Sequence, residues 1–290
     1  MHLLFLTFGN QLQNHIQGAF CMYSFLRQQR HIDSINIITD APAFYNHLSS
    51  VVNILPVDAA TINEWKGPHD YFWRVKIKAI QKLASRHPDD AILYLDTDTF
   101  LYTDIAPLKK TLQSGQALMH EDEGALSTAT TKRAKLMWQA IRGKQFGGIT
   151  MKPTDHMWNA GVIATPNTQQ GKEFDMALEI CDGICAAGVN NHTIEQYSMT
   201  LSLNHHYTLA PAESMIAHYW SNKEEWNQFI MAWLTEHHCK RTSYEAMVAD
   251  FNQLDLTKVP IMKKRRSTAI KLHNWVDKQF APRDVTYVHR

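Results

Sequence analysis

Two aspartates at the end of an apolar run are the residues in this chain that most clearly indicate a chemical function. Asp96 and Asp98 follow the segment 91–95, whose composition predicts a buried strand. No lysine or arginine stands beside them, and ionised carboxylates at the end of a buried strand are costly unless they are paired or bind a cation. Residues two apart on an extended chain point to the same side, so both carboxylates can converge on one ion.

Such a pair of oxygen ligands suits Mg²⁺ or Mn²⁺, which proteins commonly bind together with substrate phosphates. We therefore predict a divalent-cation site at Asp96 and Asp98. The alternative is a solvated turn in which the two aspartates cap a helix, but no amphipathic helical pattern begins directly after them.

Basic residues upstream of the aspartates are candidates for contacts with an anionic substrate. Arg74 and Lys78 are four residues apart in the segment 74–85, whose apolar spacing predicts a helix, so they share one face. Lys76 is expected to project elsewhere. Arg74 follows three aromatic residues and is a candidate for binding a phosphate group, whereas a solvated basic face is an equal alternative for Lys78.

The elements that must position these residues alternate between strand and helix. Strand patterns occur at 3–8, 34–40, 51–57, 91–95, 116–120 and 162–165, and helical patterns at 20–29 and 74–85. This alternation predicts an α/β fold with a mostly parallel central sheet flanked by helices. Ligands of open α/β sheets bind beyond the carboxyl ends of the strands, where the two aspartates fall.

Four separate segments, taken together and in order, resemble glycosyltransferases with the A-type (GT-A) fold, family 8 and related retaining enzymes in particular. The segment Tyr94-Leu95-Asp96-Thr97-Asp98-Thr99 resembles the Asp-x-Asp motif, Trp158-Asn159-Ala160-Gly161-Val162 resembles Phe-Asn-Ala-Gly-Val, Ile194-Glu195-Gln196 resembles the Asp-Gln segment, and 218–226 resembles His-Tyr-x-Gly-x-x-Lys-Pro-Trp. The likeness spans about residues 1–230.

The chain departs from the family pattern in the late motif and near the first strand. Ser221 stands in place of Gly, Glu224 in place of Lys and Glu225 in place of Pro, while Lys223 lies one position early. The segment 7–10 lacks the acidic residue that family 8 enzymes often use near the base. These departures indicate a relative or sister family.

The resemblance implies a fold, a reaction and a set of site residues. It implies transfer of a sugar, with retention, from a nucleotide-diphosphate sugar such as a UDP-sugar to a carbohydrate or lipid-linked acceptor, in surface polysaccharide or lipopolysaccharide synthesis. Asp96, Asp98 and His218 would hold Mn²⁺ or Mg²⁺. Asn159, Glu195 and Gln196 would lie beside the reacting sugar. The donor would contact Thr7, Phe8, Arg74, Lys78, Asp96, Gly161 and Lys223.

Other functions for the aspartate pair remain as alternatives. A haloacid dehalogenase-type phosphatase would have Gly-Thr after the second aspartate, where this chain has Thr99 and Phe100. A sugar-nucleotide nucleotidyltransferase would have a Gly-rich basic loop after the first strand, and 7–11 offers one Gly and no Lys or Arg. A non-catalytic nucleotide-sugar-binding protein is disfavoured by the intact pair and His218. An inverting enzyme would need a base such as Glu195 or Glu213.

Composition and charge limit the kinds of partner that the protein can bind. The chain has 290 residues, of which 44% are hydrophobic, and its net charge of +1 gives no general attraction to nucleic acid. No segment approaches the roughly 18–20 apolar residues of a membrane span, and the four cysteines form no disulfide framework, so we expect a cytoplasmic protein.

A domain boundary is predicted near residue 235, where helical patterns have replaced strand patterns but no Pro/Gly-rich linker occurs. It separates a catalytic domain, 1–235, from a helical C-terminal extension, 236–290. In the extension the basic run 263–266 precedes a series of apolar residues, which predicts peripheral contact with an anionic membrane. A solvated helix is the alternative.

Overall fold

The structure, a computed structural model, describes residues 1–167, 171–263 and 267–280. The strands in this part of the chain are β1 (His2–Thr7), β2 (Ser34–Thr39), β3 (Asn53–Pro56), β4 (Ile92–Leu95), β5 (Thr99–Leu101), β6 (Ala117–Met119), β7 (Asp122–Ala125), β8 (Gln145–Phe146), β9 (Ile149–Thr150), β10 (His156–Trp158), β11 (Val162–Thr165), β12 (Leu209–Pro211) and β13 (Ile216–His218).

The α-helices of the same described ranges are α1 (Leu12–Leu26), α2 (Ala59–Trp65), α3 (Arg74–Ala84), α4 (Ala106–Gln113), α5 (Lys132–Ile141), α6 (Lys172–Ala186), α7 (Ile194–His206), α8 (Lys223–Lys240), α9 (Tyr244–Phe251) and α10 (Ser267–Gln279). Short 3₁₀ helices occupy Gln29–His31, Pro42–Leu48, Gly67–His69 and Leu126–Thr128.

Seven strands form the central sheet in the order β12-β6-β11-β4-β1-β2-β3. Neighbouring strands are parallel except at β11, which is antiparallel to both β6 and β4. The predicted α/β fold with a mostly parallel sheet is therefore confirmed. The central strands are almost wholly apolar because both faces of the sheet are covered. In β4, Leu93 and Leu95 pack with one core, and Ile92 and Tyr94 with the other.

The direction of the strands brings distant segments to one edge of the sheet. β1, β4 and β6 all end there, so the residues that follow them emerge side by side. Because β11 runs the opposite way, its start lies at the same edge, which places 159–161 next to the aspartates; Asp96 N–H donates to the carbonyl oxygen of Gly161 at 2.8 Å. The antiparallel direction of β11 thus brings the Asp-x-Asp and Asn-Ala-Gly segments together.

A separate two-stranded ladder brings in the late motif. β13 pairs antiparallel with β5, and in this register His218 lies opposite Thr99. The N–H of Tyr219 donates to the carbonyl oxygen of Asp98 at 3.1 Å. These bonds fix the imidazole of His218 beside the carboxylate of Asp98.

The helical C-terminal part is continuous with the rest of the chain at the predicted boundary. Residue 235 lies inside α8, and the following helix α9 packs Phe251 against Phe20 of α1, with ring centroids 4.9 Å apart. The indole N–H of Trp233 donates to Asp250 at 2.8 Å and ties α8 to α9. Apolar residues of α8 and α9 thus complete one of the two cores, and a domain boundary at 235 stays a prediction.

The last described helix exposes apolar side chains. Leu272 and Trp275 are 61% and 55% exposed, and Phe280, directly after the helix, is 75% exposed. Of the basic run predicted to contact membrane, 264–266 lie outside the described residues. In the part of the chain that the structure describes, no helix combines the length and apolarity needed to span a bilayer.

Candidate active site

A cleft of about 1100 Å³ opens at the carboxyl edge of the sheet. It brings together most of the residues singled out from the sequence. Those that line it are Thr7, Phe8, Asp96, Asp98, Asn159, Glu195, Gln196, His218 and Lys223. Gly161 lies directly behind His218, and Arg74 and Lys78 are not among the described lining residues.

Asp96, Asp98 and His218 form a cluster with the composition of a metal site. One ligand atom from each lies within 4.8 Å of the others, and Asp98 Oδ2 is 3.4 Å from His218 Nε2. Two carboxylates and an imidazole suit Mn²⁺ well and are compatible with Mg²⁺. Lys223 Nζ lies 2.9 Å from Asp98 Oδ2 and adds a further positive charge.

Asp98 is ionised despite its burial. Burial alone would raise the pKa of the Asp98 carboxyl, but its contacts with His218 and Lys223 outweigh burial and hold that pKa well below the usual range. Its side chain is only 6% exposed. A fully charged carboxylate in a nearly closed position is the group that a divalent cation binds most strongly.

Hydrogen bonds around Asn159 fix which nitrogen of His218 can bind a metal. Asn159 Oδ1 accepts from the N–H of Gly161 at 3.0 Å, and its amide NH₂ donates to Glu123 at 3.1 Å. The same Oδ1 lies 3.0 Å from His218 Nδ1, so Nδ1 carries the proton that it donates. Nε2 then faces Asp98 and would be the nitrogen that binds a metal, with the second nitrogen orienting the ring.

The absence of a side chain at Gly161 allows His218 to occupy this position. A Cβ atom built on Gly161 would overlap the imidazole ring of His218. This contact gives a physical reason for glycine in the Asn-Ala-Gly segment: the backbone must leave room for a ligand from another strand.

We expect Gly161→Ala to weaken metal binding by about 10-fold to 100-fold, because the added methyl displaces His218 from the cluster. Calorimetric titration of Mn²⁺ measures this loss. A double-mutant cycle with His218→Ala supplies the control: once the imidazole is gone, the extra methyl should have little further effect. Equal losses in both backgrounds would contradict the contact as the cause.

Lys76 is a member of the site that the sequence analysis did not select. It does project away from the face of Arg74 and Lys78, as expected, but that direction leads into the cleft. Its Nζ lies 3.2 Å from Asp96 Oδ1 and 3.5 Å from Glu195 Oε1, and it donates to the carbonyl oxygen of Ala160 at 3.2 Å. Burial would lower the pKa of Lys76, but the two carboxylates outweigh burial and raise it.

The sequence did contain a signal for Lys76. It is four residues before Ile80 and seven before Leu83, so it lies on the apolar stripe of α3. A lysine on the buried face of a helix must find partners, since a buried unpaired charge is strongly unfavourable.

Arg74 and Lys78 have other contacts. Arg74 makes a bidentate ion pair with Asp182, at 2.8 and 3.1 Å, and donates to the carbonyl oxygen of Trp65 at 2.8 Å. Lys78 donates to Gln81 at 2.5 Å. Neither residue is among the described residues that line the cleft, and Arg74 joins α3 to α6. Direct contacts of these two residues with the donor stay a prediction.

Glu195 lies deep in the cleft and is only partly neutralised. Its Oε1 makes no hydrogen bond within the described residues. Burial raises the pKa of Glu195 to about 7 from its ordinary value of 4.5, an effect that Lys76 only partly offsets. Gln196, its neighbour, donates to Glu123 at 2.9 Å and so joins the network around Asn159.

The raised pKa of Glu195 gives a testable dependence of stability on pH. Between about pH 4.5 and 7 the folded protein holds a proton that the unfolded chain releases, so stability falls as the pH rises through this window. Across this pH window we expect the unfolding free energy of the wild type, measured relative to that of Glu195→Gln, to fall by about 3 kcal/mol. Urea unfolding in EDTA measures this difference, and a difference independent of pH would contradict the assigned pKa.

Other lining residues were missed for different reasons. Glu123 belongs to an acidic run directly after the predicted strand 116–120, and its position at a strand end was an available signal. Phe72 and Trp73 line the cleft and are each 44% exposed. Only the fold could reveal that these aromatic rings face the same opening as the aspartates.

Comparisons with known proteins give a fold. No protein-family model matches the chain, and no curated protein matches it. Among solved structures, galactosyltransferase LgtC, crystallised with donor and acceptor sugar analogues, superposes with a TM-score of 0.52 at 14% identity over 90% of this chain and 98% of LgtC. The apo glycosyltransferase GlyE of Streptococcus pneumoniae superposes with a TM-score of 0.50 at 16% identity, over 87% of this chain and 63% of that chain.

The fold of this protein is the GT-A fold of glycosyltransferases. This class agrees with the resemblance found in the sequence motifs. At these low identities the comparison establishes the architecture, and the activity must be argued from the site.

Proposed function

We propose that this protein is a metal-dependent glycosyltransferase that moves a sugar from a nucleotide-diphosphate donor, a UDP-sugar, to a carbohydrate acceptor with retention of configuration. The observation that carries the proposal is the convergence of Asp96, Asp98 and His218 at the carboxyl edge of a GT-A sheet. The neighbour LgtC, solved with donor and acceptor sugar analogues, supports substrates of these two kinds.

The reaction breaks the bond between the anomeric carbon and the diphosphate oxygen. Mn²⁺ or Mg²⁺ bound at the cluster would supply positive charge to the departing diphosphate. Lys223, 2.9 Å from Asp98, adds a second positive group at the same place. Charges held in place before the reaction stabilise the leaving group without reorganisation, which is the largest catalytic contribution available to such a site.

The sugar itself becomes positively charged as the bond breaks, and the cleft offers carboxylates for it. Glu195, in its ionised form, would stabilise that charge, and Lys76 fixes the positions of Glu195 and Asp96 relative to each other. Asn159 and Gln196 would bind sugar hydroxyls. A front-face retaining reaction needs no separate base, which suits a cleft in which His218 belongs to the cluster.

The nucleotide base would lie at the aromatic end of the cleft. Phe8, Phe72 and Trp73 line it there, with Phe8 and Phe72 packed edge to face at a centroid distance of 6.2 Å. Aromatic surfaces of this kind stack readily with a planar base. Thr7, at the end of β1, lies next to them in the cleft.

Thermal-shift measurements with UDP-, GDP- and CDP-sugars, each with and without Mn²⁺, test the donor and the metal together. Stabilisation by a UDP-sugar only when Mn²⁺ is present is the expected result, followed by metal-dependent release of UDP. A nucleotidyltransferase would instead release pyrophosphate from a nucleoside triphosphate and a sugar phosphate. A binding protein without turnover would show the shift and release neither product.

We also propose that the protein is cytoplasmic and contacts the membrane surface through α10. A lipid-linked acceptor would lie at that surface. The exposed apolar residues of this helix are accompanied by Lys271 and Lys278, a composition suited to an anionic bilayer surface. We expect full-length Leu272→Glu to co-sediment with anionic liposomes several-fold less than the wild type. Leu136→Glu, at a 55% exposed leucine of α5, is the matched control. Equal co-sedimentation of all three proteins would remove this proposal.

A further inference from the structure

A second cavity, of about 400 Å³, adjoins the candidate metal cluster at His218. The two spaces share His218 and Trp220. Its described lining includes Tyr102, His120, Glu213, Leu256, Val259 and Ile261. An occupant of this cavity would therefore lie directly beside the reacting centre.

One wall of the cavity is apolar and comes from the segment 256–262, which follows α9. Leu256, Val259 and Ile261 are only partly buried and offer aliphatic surface to the space. The segment is fixed at Pro260, whose carbonyl oxygen accepts from Asn222 Nδ2 at 2.8 Å and from Trp226 Nε1 at 3.1 Å. Because this wall is held by two hydrogen bonds, it is in place before a ligand arrives.

The opposite wall is equally well fixed. Tyr102 donates its hydroxyl to the carbonyl oxygen of Glu213 at 2.9 Å, and its N–H donates to the carbonyl oxygen of Met215 at 3.1 Å. His120 donates from Nε2 to the carbonyl oxygen of Ile216 at 3.1 Å. The cavity is thus a preformed space between β5, β13 and the C-terminal segment.

The charged groups of the cavity are carboxylates. Glu121 and Glu213 both line it, and none of its lining residues in the described part of the chain is lysine or arginine. Carboxylates accept hydrogen bonds from hydroxyl groups and repel phosphate. The lining therefore favours an uncharged molecule that carries both hydroxyl groups and an apolar portion.

We propose that this cavity, together with its wall 256–262, binds the apolar group of an uncharged acceptor glycoside. In that glycoside the apolar group is attached next to the hydroxyl that receives the sugar. This inference rests on the proposed glycosyltransferase function. A volume of about 400 Å³ exceeds the roughly 150 Å³ cavity that accommodates benzene, so an aromatic ring or short alkyl chain fits. The segment 256–262 is then a specificity-determining part of the enzyme.

The test compares glycosides that differ only in their apolar group. Methyl and 4-nitrophenyl glycosides of glucose, galactose and mannose are titrated by calorimetry into full-length protein saturated with UDP and Mn²⁺. We expect at least one 4-nitrophenyl glycoside to bind about 10-fold or more tightly than its methyl counterpart, from burial of the ring. Val259→Ser should reduce this preference by several-fold, while Val276→Ser, outside the cavity, should leave it unchanged.

Donor hydrolysis without acceptor, measured on the same proteins, separates the two proposals. Retained hydrolysis in Val259→Ser together with a lost aryl preference supports the inference. Equal affinity for methyl and aryl glycosides, or no saturable aryl binding, in a protein that hydrolyses its donor overturns the inference and leaves the proposed function standing. A wild type that neither binds UDP with Mn²⁺ nor hydrolyses a donor overturns both.

Discussion

We expect Asp98→Asn to lower kcat/KM for donor turnover by roughly three orders of magnitude. The substitution keeps the shape of the side chain but removes the charge that faces His218 and Lys223. Under the proposed function the cluster would then lack one cation ligand, and the leaving diphosphate would lose the positive charge that a bound cation supplies. Metal-dependent release of UDP from a UDP-sugar, measured over a range of Mn²⁺ concentrations, follows the effect.

A matched control is available at the other edge of the sheet. Asp90 precedes β4, as Asp98 follows it, and its side chain is 52% exposed and contacts His2. Asp90→Asn should therefore leave turnover unchanged. Near-ultraviolet circular dichroism shows whether both variants remain folded. Turnover close to that of the wild type in folded Asp98→Asn would rule out the cluster as the catalytic centre.

Lys76→Met should be the second most damaging change, and it should affect both stability and activity. The ammonium of Lys76 pairs with both Asp96 and Glu195, so its removal leaves the buried carboxyl of Glu195 and the partly buried carboxyl of Asp96 without their shared cation. Breaking a buried ion pair from one side costs about 3–5 kcal/mol, and part of this is relieved when Glu195 takes up a proton. We expect the urea midpoint to fall accordingly and turnover to fall about 100-fold.

Lys78→Met provides the comparison for Lys76, because Lys78 is in the same helix but contacts only Gln81 in the described hydrogen bonds. Its unfolding free energy should change by less than about 0.5 kcal/mol. Lys76→Arg, which keeps the charge, should recover part of the stability. A urea midpoint for Lys76→Met equal to that of Lys78→Met would show that the ion pairs contribute little.

Much of the fold could be predicted from the sequence because the central strands β1, β4 and β11 are buried and α3 is clearly amphipathic. The range 162–165 predicted for a late strand coincides with β11, and 74–85 agrees with α3 to within one residue. The direction of β11 could not be predicted, since a short apolar run carries no information about its orientation in a sheet. Nor could the packing of α9 on α1, which depends on contacts between residues more than 200 positions apart.

The candidate site could be predicted where neighbouring residues in the sequence form it. It could not be predicted where it depends on which face of a helix meets the cleft. Asp96 and Asp98 stand out because two carboxylates end a buried strand. Helical spacing correctly separated Arg74 from Lys76, but it could not tell which face of α3 meets the cleft. The second cavity was invisible for a similar reason: its apolar wall belongs to a segment without regular structure, whose position depends on bonds to Asn222 and Trp226.

The most direct test of the central claim is the position of one bound ion. Crystals of the protein grown with UDP and Mn²⁺, with diffraction recorded at the manganese edge, would locate it by its anomalous signal. We predict a single strong peak within about 2.3 Å of ligand atoms from Asp98 and His218, adjacent to Asp96 and to the diphosphate. A well-ordered UDP with no manganese at this cluster, or manganese bound elsewhere in the cleft, would contradict the proposed metal site.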